Sequence, residues 1–473
     1  MSTATTTRTK ALEINKTNSF YGTFAEIGAG QEVARHFFQA GLASQTVAKS
    51  MSAYDKVFSD SIYGKGSRFV SEERLIKMLS HEYSLLDERL CDRKGHTCFF
   101  SFANTVATSS HEEIPSCHGW MGIRFQKRFE GPANEIIIHV RMLDRLRLQQ
   151  QEALGILGVN LIYAARNYTD AQDSLLIASL LDNLSTDRIE INFIRFSGPD
   201  VEHIDNRLMS LELVKQNLTR AVMFNAAGQS LSLSDTIYGK SVLVQRGKFR
   251  PFTLTNERIL ENGLRQMEKD LSLKKKETVV LLEMTMSHLA TGKDSTQDNK
   301  SNLEIDKKDF LDRVDTLSTL GHNVLITNFP LFSQLHVELR RFTSEYICMV
   351  IGATTLPNIF GKHHYSKYPG GIMSALGLLF DEKSRFYVYP YKTEKECTTA
   401  SSFSPTPDVL HLYKHLRENK FILDLENCDD VDTTLHSEGV RKLLSVGNPK
   451  WEELVPPAVR DLIKKRKLFD YKG

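Results

Sequence analysis

The 473-residue sequence predicts an α/β protein of two α/β lobes, the C-terminal one built on a mostly parallel sheet, with a helical C-terminal tail. Three observations predict it. Length alone asks for two cores, and 41% hydrophobic against 25% charged residues is enough to fill them. Apolar runs in the second half, VVLLEM at 279–284, NVLITNF at 323–329, then 347–352 and 386–389, read as strands buried on both faces. Helical-period segments alternate with these runs, the rhythm of parallel strands joined by crossovers.

The expected divisions are a mobile Thr-rich tail over 1–18, an N-terminal α/β domain over 19–271, a C-terminal α/β domain over 278–408 and a helical tail over 409–473 packed on it. In the first domain, Phe20 to Gly41 (FYGTFAEIGAGQEVARHFFQAG) reads as an extended segment, a tight turn and an amphipathic helix. Residues 43–54 are expected to form a second helix. Ser71 caps a helix running to Leu90, with Glu72 and Glu73 in its first turn. Strands follow at 98–106, 118–125 and 135–140. A long helix spans 149–166, where Gly155 and Gly158 mark a close approach by another segment. A helix at 175–184, a strand at 189–196, a helix at 205–218, strands at 221–224 and 241–245, and a helix at 256–271 complete this half. Residues 273–277 are a charged junction and 291–301 a polar loop. Helices are expected at 307–320, 331–342 and 372–380, between the strands.

Charge and cysteine usage exclude several classes. Lys plus Arg exceed Asp plus Glu by 60 − 58 = 2, so no broad basic field gathers nucleic acid or anionic lipid. Six cysteines without a CxxC pair read as reduced thiols rather than a disulfide framework. MSTATTTRTK lacks the apolar run of a signal peptide, and no stretch is long enough to cross a bilayer, so a cytoplasmic protein is expected. No P-loop, G-x-S-x-G elbow or HExxH helix occurs.

The candidate site residues fall in several stretches. The Gly28-Ala29-Gly30 turn presents backbone N–H groups either to a phosphate or simply to a tight turn, since Val33 replaces the third glycine of a dinucleotide fingerprint. In EIIIHVRMLD, His139 and Arg141 share one strand face and Asp144 lies past its end. This is either a catalytic edge or a salt-bridged sheet face. Arg246 and Arg250 sit in RGKFRP, a loop suited to bidentate phosphate contact or to plain solvation. Glu283 and Asn328 end the first two buried strands of the second half, where such sheets present functional side chains. His111-Glu112-Glu113 with Cys117-His118 matches no standard zinc spacing, and no metal is assigned.

The stretches FAEIGAGQEVARHFFQAG, HGWMGIRFQ, QQEALGILGVNLIYAA, SGPDVEHIDNRLMSLELVKQNLT, LVQRGKFRPFT and WEELVPPAV together resemble an uncharacterised bacterial protein family across almost the whole chain. Its members often carry the automatic names nicotinate-nucleotide adenylyltransferase or TonB-dependent receptor. The receptor name implies an exported barrel, against the strand–helix alternation of the second half. The transferase name implies an H-x-G-H-type motif. The nearest strings are Lys94-Gly95-His96 and His118-Gly119-Trp120, so no catalytic residue is carried over.

The function expected is an enzyme, such as a transferase, acting on a phosphorylated or nucleotide-like metabolite. His139 would move a proton, Asp144 or Glu283 would orient it, and Gly28, Gly30, Arg141, Arg246, Arg250 and Asn328 would hold the substrate. The alternatives are a non-catalytic binding or scaffold protein and nicotinate-nucleotide adenylyl transfer. The expected partner is a small anionic metabolite or nucleotide, with neither nucleic acid nor membrane. The residues name no cofactor and no oligomeric state.

Overall fold

Two sheets organise the chain, one in each of two compact units, residues 1–220 and 221–473. The computed structural model describes residues 6–28, 30–66, 68–108, 117–271, 278–290, 304–366, 368–431 and 437–472. The junction expected at 273–277, the loop at 291–301, Ala29 and His111-Glu112-Glu113 therefore lie outside the described residues, wholly or nearly so. The boundary expected after residue 271 falls at 220 instead. The reason is that residues 221–224 and 241–246 are strands of the second sheet, not of the first.

The first sheet holds β1 (Phe20–Gly28), β2 (Val47–Met51), β3 (Cys98–Ala107), β4 (His118–Gln126), β5 (Ala133–Met142) and β6 (Ile189–Ser197), in the order β2-β1-β3-β4-β5-β6. β1 runs parallel to β2 and β3, and the rest are antiparallel. Helices Thr7–Asn15, Val33–Ala40 and Arg147–Asn167 cover one face, closing a core around Phe20, Phe24, Phe37, Phe100, Phe102 and Leu157. Helix Glu72–Arg89 covers the other with Leu75, Met78 and Leu79 against Trp120 and Phe193. Ser71 caps it as expected, its side chain accepting from the Arg74 N–H. Each large apolar side chain so buried contributes about 1.5–3 kcal/mol. The close approach marked by Gly155 and Gly158 is with helix Val33–Ala40. A Cβ on Gly158 would overlap the Val33 side chain.

Two expectations fail in this unit. The 1–18 segment is not a free tail: Thr7–Asn15 is a helix capped by Thr6, with Ala11 and Ile14 buried and the buried Lys10 paired to Asp182 at 2.6 Å. Residues 43–54 are not a helix but a short 3-10 turn and strand β2. The edge of buried strand β1 needs hydrogen-bond partners, and that need overrides local propensity.

The second sheet holds β7 (Ala221–Phe224), β8 (Ser230–Leu231), β9 (Ser241–Arg246), β10 (Thr278–Thr285), β11 (Asn323–Thr327), β12 (Ile347–Gly352), β13 (Ser384–Tyr389) and, after the hairpin β14 (Tyr391–Lys392) and β15 (Cys397–Thr398), β16 (Ile422–Asp424). Their order is β16-β13-β12-β9-β10-β11-β7-β8. The six strands from β16 to β11 are mutually parallel, while β7 pairs antiparallel with β11 and β8 with β7. Counted from β9, the parallel strands stand in the order 3-2-1-4-5-6, the doubly wound arrangement whose winding reverses between the first and fourth strands, β9 and β12. Helices Phe332–Arg340, Gly371–Leu379 and Leu410–Glu418 pack one face with Val244, Leu281, Leu325 and Met349. Helix Leu254–Leu271 lies on the other, with Gly263 against Val350.

The 409–473 segment is more than a tail, because helix Leu410–Glu418 and strand β16 belong to the sheet layers. Only the last part is a separate cluster, around Trp451 in helices Ser437–Ser445 and Pro457–Arg466. The cysteines also depart from expectation: Cys397 on β15 is disulfide-bonded to Cys428, while Cys91, Cys98, Cys117 and Cys348 form no disulfide. Two of the six lie where the hairpin meets the turn after β16, a proximity that spacing cannot reveal. Among the described residues, no helix is long and apolar enough to cross a membrane.

Candidate functional site

A cavity of about 670 Å³ opens at the carboxyl ends of β9, β10, β12 and β13, where the winding reverses. Such crevices arise because neighbouring crossover helices diverge to opposite faces of the sheet there. Its floor includes Gln245 and Arg246 at the end of β9, Thr285 at the end of β10, and Val350 to Gly352 at the end of β12. Thr255 and Asn256 bring the first turn of helix Leu254–Leu271 to the wall. That turn is fixed by reciprocal capping. The Thr253 N–H donates to Asn256 Oδ1 at 3.0 Å, and the Asn256 N–H donates to Thr253 Oγ1 at 3.3 Å. Gln245 Nε2 donates to the Asn256 carbonyl at 3.1 Å, tying the turn to the strand. The positive end of the helix dipole thus borders the cavity.

Arg246 and Glu283 are cross-strand neighbours on β9 and β10. The guanidinium grips the carboxylate with two contacts, Nε to Oε2 at 2.5 Å and Nη2 to Oε1 at 3.0 Å. It also donates to the carbonyls of Phe329 and Pro330 and stacks 4.2 Å over Phe332. Glu283 is fully buried and takes a further hydrogen bond from Thr327 Oγ1. Arg246 therefore lines the cavity as a fixed positive wall, and Glu283 is its internal counter-ion rather than an acid or base facing substrate. Arg250 is paired with Asp309 and Asn328 is half-buried just beyond β11; neither lines the cavity.

His288, in the short helix after β10, is the titratable group that sequence reasoning missed. It lines the cavity, and its Nδ1 is buried without a hydrogen-bond partner. Burial, joined by the positive charges of Arg246, Lys248 and Arg313, pushes its pKa down to about 4, so the ring is neutral at pH 7. Lys248 and Glu438 both line the cavity and pair, Nζ to Oε1 at 3.0 Å. The only signal for His288 was its place four residues past the strand run 279–284. His364, an exposed residue, also lines the cavity, its ring centroid 3.9 Å from that of the exposed His363.

The first unit holds Gly28, Gly30, His139, Arg141 and Asp144, which are therefore divided from Arg246, Arg250, Glu283 and Asn328 by the unit boundary. The turn after β1 does present helix N–H groups to an anion, but the anion is internal. Glu26 accepts from the Val33 N–H at 3.2 Å and the Ala34 N–H at 3.0 Å, and Asn104 Nδ2 donates to it at 3.2 Å. Burial raises its pKa to about 7 against these hydrogen bonds. Gly28 has φ +77°, and a Cβ there would meet the Val106 carbonyl oxygen. Gly30 donates no space either, since the Asn104 side chain packs on it.

His139 is buried against Trp120, and both ring nitrogens are engaged, Nδ1 with Asn192 Oδ1 at 2.6 Å and Nε2 with His118 Nδ1 at 2.9 Å. Burial drives its pKa down to about 3. Arg141 pairs with Glu190 at 2.8 Å and Asp144 with Arg188 at 2.9 Å. The salt-bridged-face alternative describes these residues. Cys117 contacts Gln150, and among the described residues no group of three His, Cys, Asp or Glu side chains is placed to hold a metal.

Fold and site define a two-unit α/β protein whose second unit carries a polar cavity at the reversal point of a doubly wound sheet. No family model and no curated protein matches the chain. Among solved structures it has matches to the competence/damage inducible protein CihA from Agrobacterium tumefaciens (18% identity, 35% of this chain and 98% of that one, TM-score 0.25) and to a competence-damaged protein (CinA) superfamily protein from Escherichia coli (14% identity, 35% and 90%, TM-score 0.25). A competence or damage-inducible protein from Enterobacter asburiae is similar at 15% identity, 35% and 99% coverage and a TM-score of 0.26. Likeness at that level carries no argument about this chain.

Proposed function

We propose that the second unit binds a phosphorylated or nucleotide-like metabolite in the cavity, and that the protein is an enzyme acting on it with His288 in the acid–base role first sought in His139. One coincidence carries this reading: the crevice of the doubly wound sheet is bordered by the positive groups Arg246 and Lys248, which add to burial in holding the cavity's His288 neutral. The His288 ring lines the cavity, and an anion bound beside it would raise its depressed pKa toward the range in which an imidazole exchanges protons with a substrate.

A full dinucleotide is disfavoured. The loop after β9 is Arg246-Gly247-Lys248-Phe249-Arg250-Pro251, with one glycine where the fingerprint needs three. The acid near the end of β10, which would hold a ribose diol, is Glu283, and Arg246 consumes it. A mononucleotide or smaller phosphorylated metabolite fits better. The non-catalytic binder is the second reading, favoured by the engagement of His139, Asp144 and Glu283 with internal partners. Nicotinate-nucleotide adenylyl transfer rests on the family name alone, and its direct check is titration calorimetry with ATP and nicotinate mononucleotide.

The deciding experiment is a thermal-shift screen of the full chain against phosphorylated metabolites and nucleotides, repeated with H288Q. A ligand raises the melting point by mass action. The enzyme reading expects a hit that H288Q still binds, though more weakly, but no longer converts. A hit that the wild type binds without conversion favours the binder, and the absence of any phosphorylated hit overturns both readings of the cavity.

A further inference from the structure

Resting on that reading, we propose that Lys248 and His288 form the phosphoryl subsite of the cavity and that Glu438 is its resident competing anion, displaced when a phosphoryl group enters. The argument starts from the contact itself. Lys248 follows β9 and Glu438 opens helix Ser437–Ser445, far apart in sequence, yet both line the cavity and their charges meet at 3.0 Å. A carboxylate is therefore held where the cavity offers its mobile cation.

That contact is weakly held. The Lys248 side chain is 55% exposed and that of Glu438 72% exposed, so water screens the attraction and both side chains lose freedom in making it. A phosphate monoester carries roughly −1.5 to −2 charge at pH 7 against −1 for the carboxylate. It also faces the wider field of Arg246 and Arg313, which acts on the neighbouring His288 ring. The doubly charged ligand wins the exchange for Lys248. Arg246 itself cannot move toward a ligand, because its carboxylate and carbonyl partners fix it.

The first unit shows the opposite limit of the same device. There Glu26 fills a helix N-terminus, is 2% exposed, and accepts two backbone N–H groups. A buried carboxylate with those bonds is not displaced by solute. Glu438, 72% exposed, has the solvent access that exchange requires.

The test is titration calorimetry of the full chain with adenosine 5′-monophosphate and inorganic phosphate, with adenosine as the uncharged control. The wild type, E438Q, K248Q and the double variant are compared, with melting points taken to verify folding. Removing the competitor is expected to lower Kd for both phosphates roughly three- to fivefold in E438Q. K248Q is expected to weaken both, and E438Q is expected to add nothing in the K248Q background, because the competition runs through that lysine. Adenosine should be indifferent to E438Q. Phosphate binding by the wild type that E438Q leaves unchanged or weakens overturns the competing-anion inference while the cavity reading stands. No binding of either phosphate to wild type or E438Q overturns the cavity reading and this inference with it.

Discussion

Arg246 and Glu283 lock two adjacent parallel strands together directly below the cavity, through a two-point ion pair whose carboxylate is fully buried. A pair of this kind contributes little net stability against an apolar replacement, but breaking it strands a buried charge. E283A is expected to destabilise the protein by about 3–5 kcal/mol. The double variant R246M/E283L should lose distinctly less. Equilibrium urea unfolding reads both, and an E283A cost under about 1 kcal/mol would show that Arg246 is not held in a desolvated pair.

Glu26 gives the first unit a pH dependence of definite sign. Its folded pKa of about 7 lies above the usual carboxylate value of 4.5, so the folded state holds an extra proton between those limits. Stability from this group is complete below about 4.5 and falls as pH rises through 7. His139 acts oppositely: with a folded pKa of about 3 against 6.5, it contributes stability above 6.5 that is lost as pH falls toward 3. The two slopes oppose each other between about 4.5 and 6.5. The difference in unfolding free energy between wild type and E26Q isolates the Glu26 part. It should decline by on the order of 3 kcal/mol from pH 4 to 8, on top of any constant offset from the amide. A difference that is flat with pH would mean that burial does not raise the Glu26 pKa.

The sheet of the second unit was readable because a strand buried on both faces is nearly continuously apolar, as in Val279 to Leu282 and Ile347 to Ile351. The order of those strands was not, since periodicity carries no information on which neighbour each selects. Edge strand Val47–Met51 escaped notice because its mostly exposed residues lack an apolar alternation. The site was less legible still. Glu26 reads as one acid inside an apolar strand, and its helix donors come seven and eight residues later. His139 and Arg141 were placed on one strand face, but the groups that satisfy them, Asn192 and Glu190, lie on β6 and enter only through sheet pairing.

The disulfide supplies a third expectation. Cys397 and Cys428 are separated by 31 residues, and closing a loop of that length removes unfolded-state entropy worth about 3–4 kcal/mol. C397A/C428A should unfold at lower urea than the oxidised wild type by that amount. Dithiothreitol should bring the wild type down to the variant and leave the variant unmoved. Equal midpoints for both proteins without reductant would show that the thiols are unpaired in the isolated protein.

The neutral ring of His288 offers a direct view of the cavity. In the free protein its NMR titration midpoint should lie near 4, because burial and the charges of Arg246, Lys248 and Arg313 all disfavour the imidazolium. An anion bound beside the ring reverses the electrostatic part of that balance. Saturating phosphate should therefore raise the midpoint by roughly one unit or more. K248Q should raise it modestly without ligand, by removing one of the repelling charges, and should abolish most of the phosphate response. H288Q identifies the resonance. A midpoint that stays put when phosphate is shown by calorimetry to bind would place the anion away from His288, and the acid–base assignment would go with it.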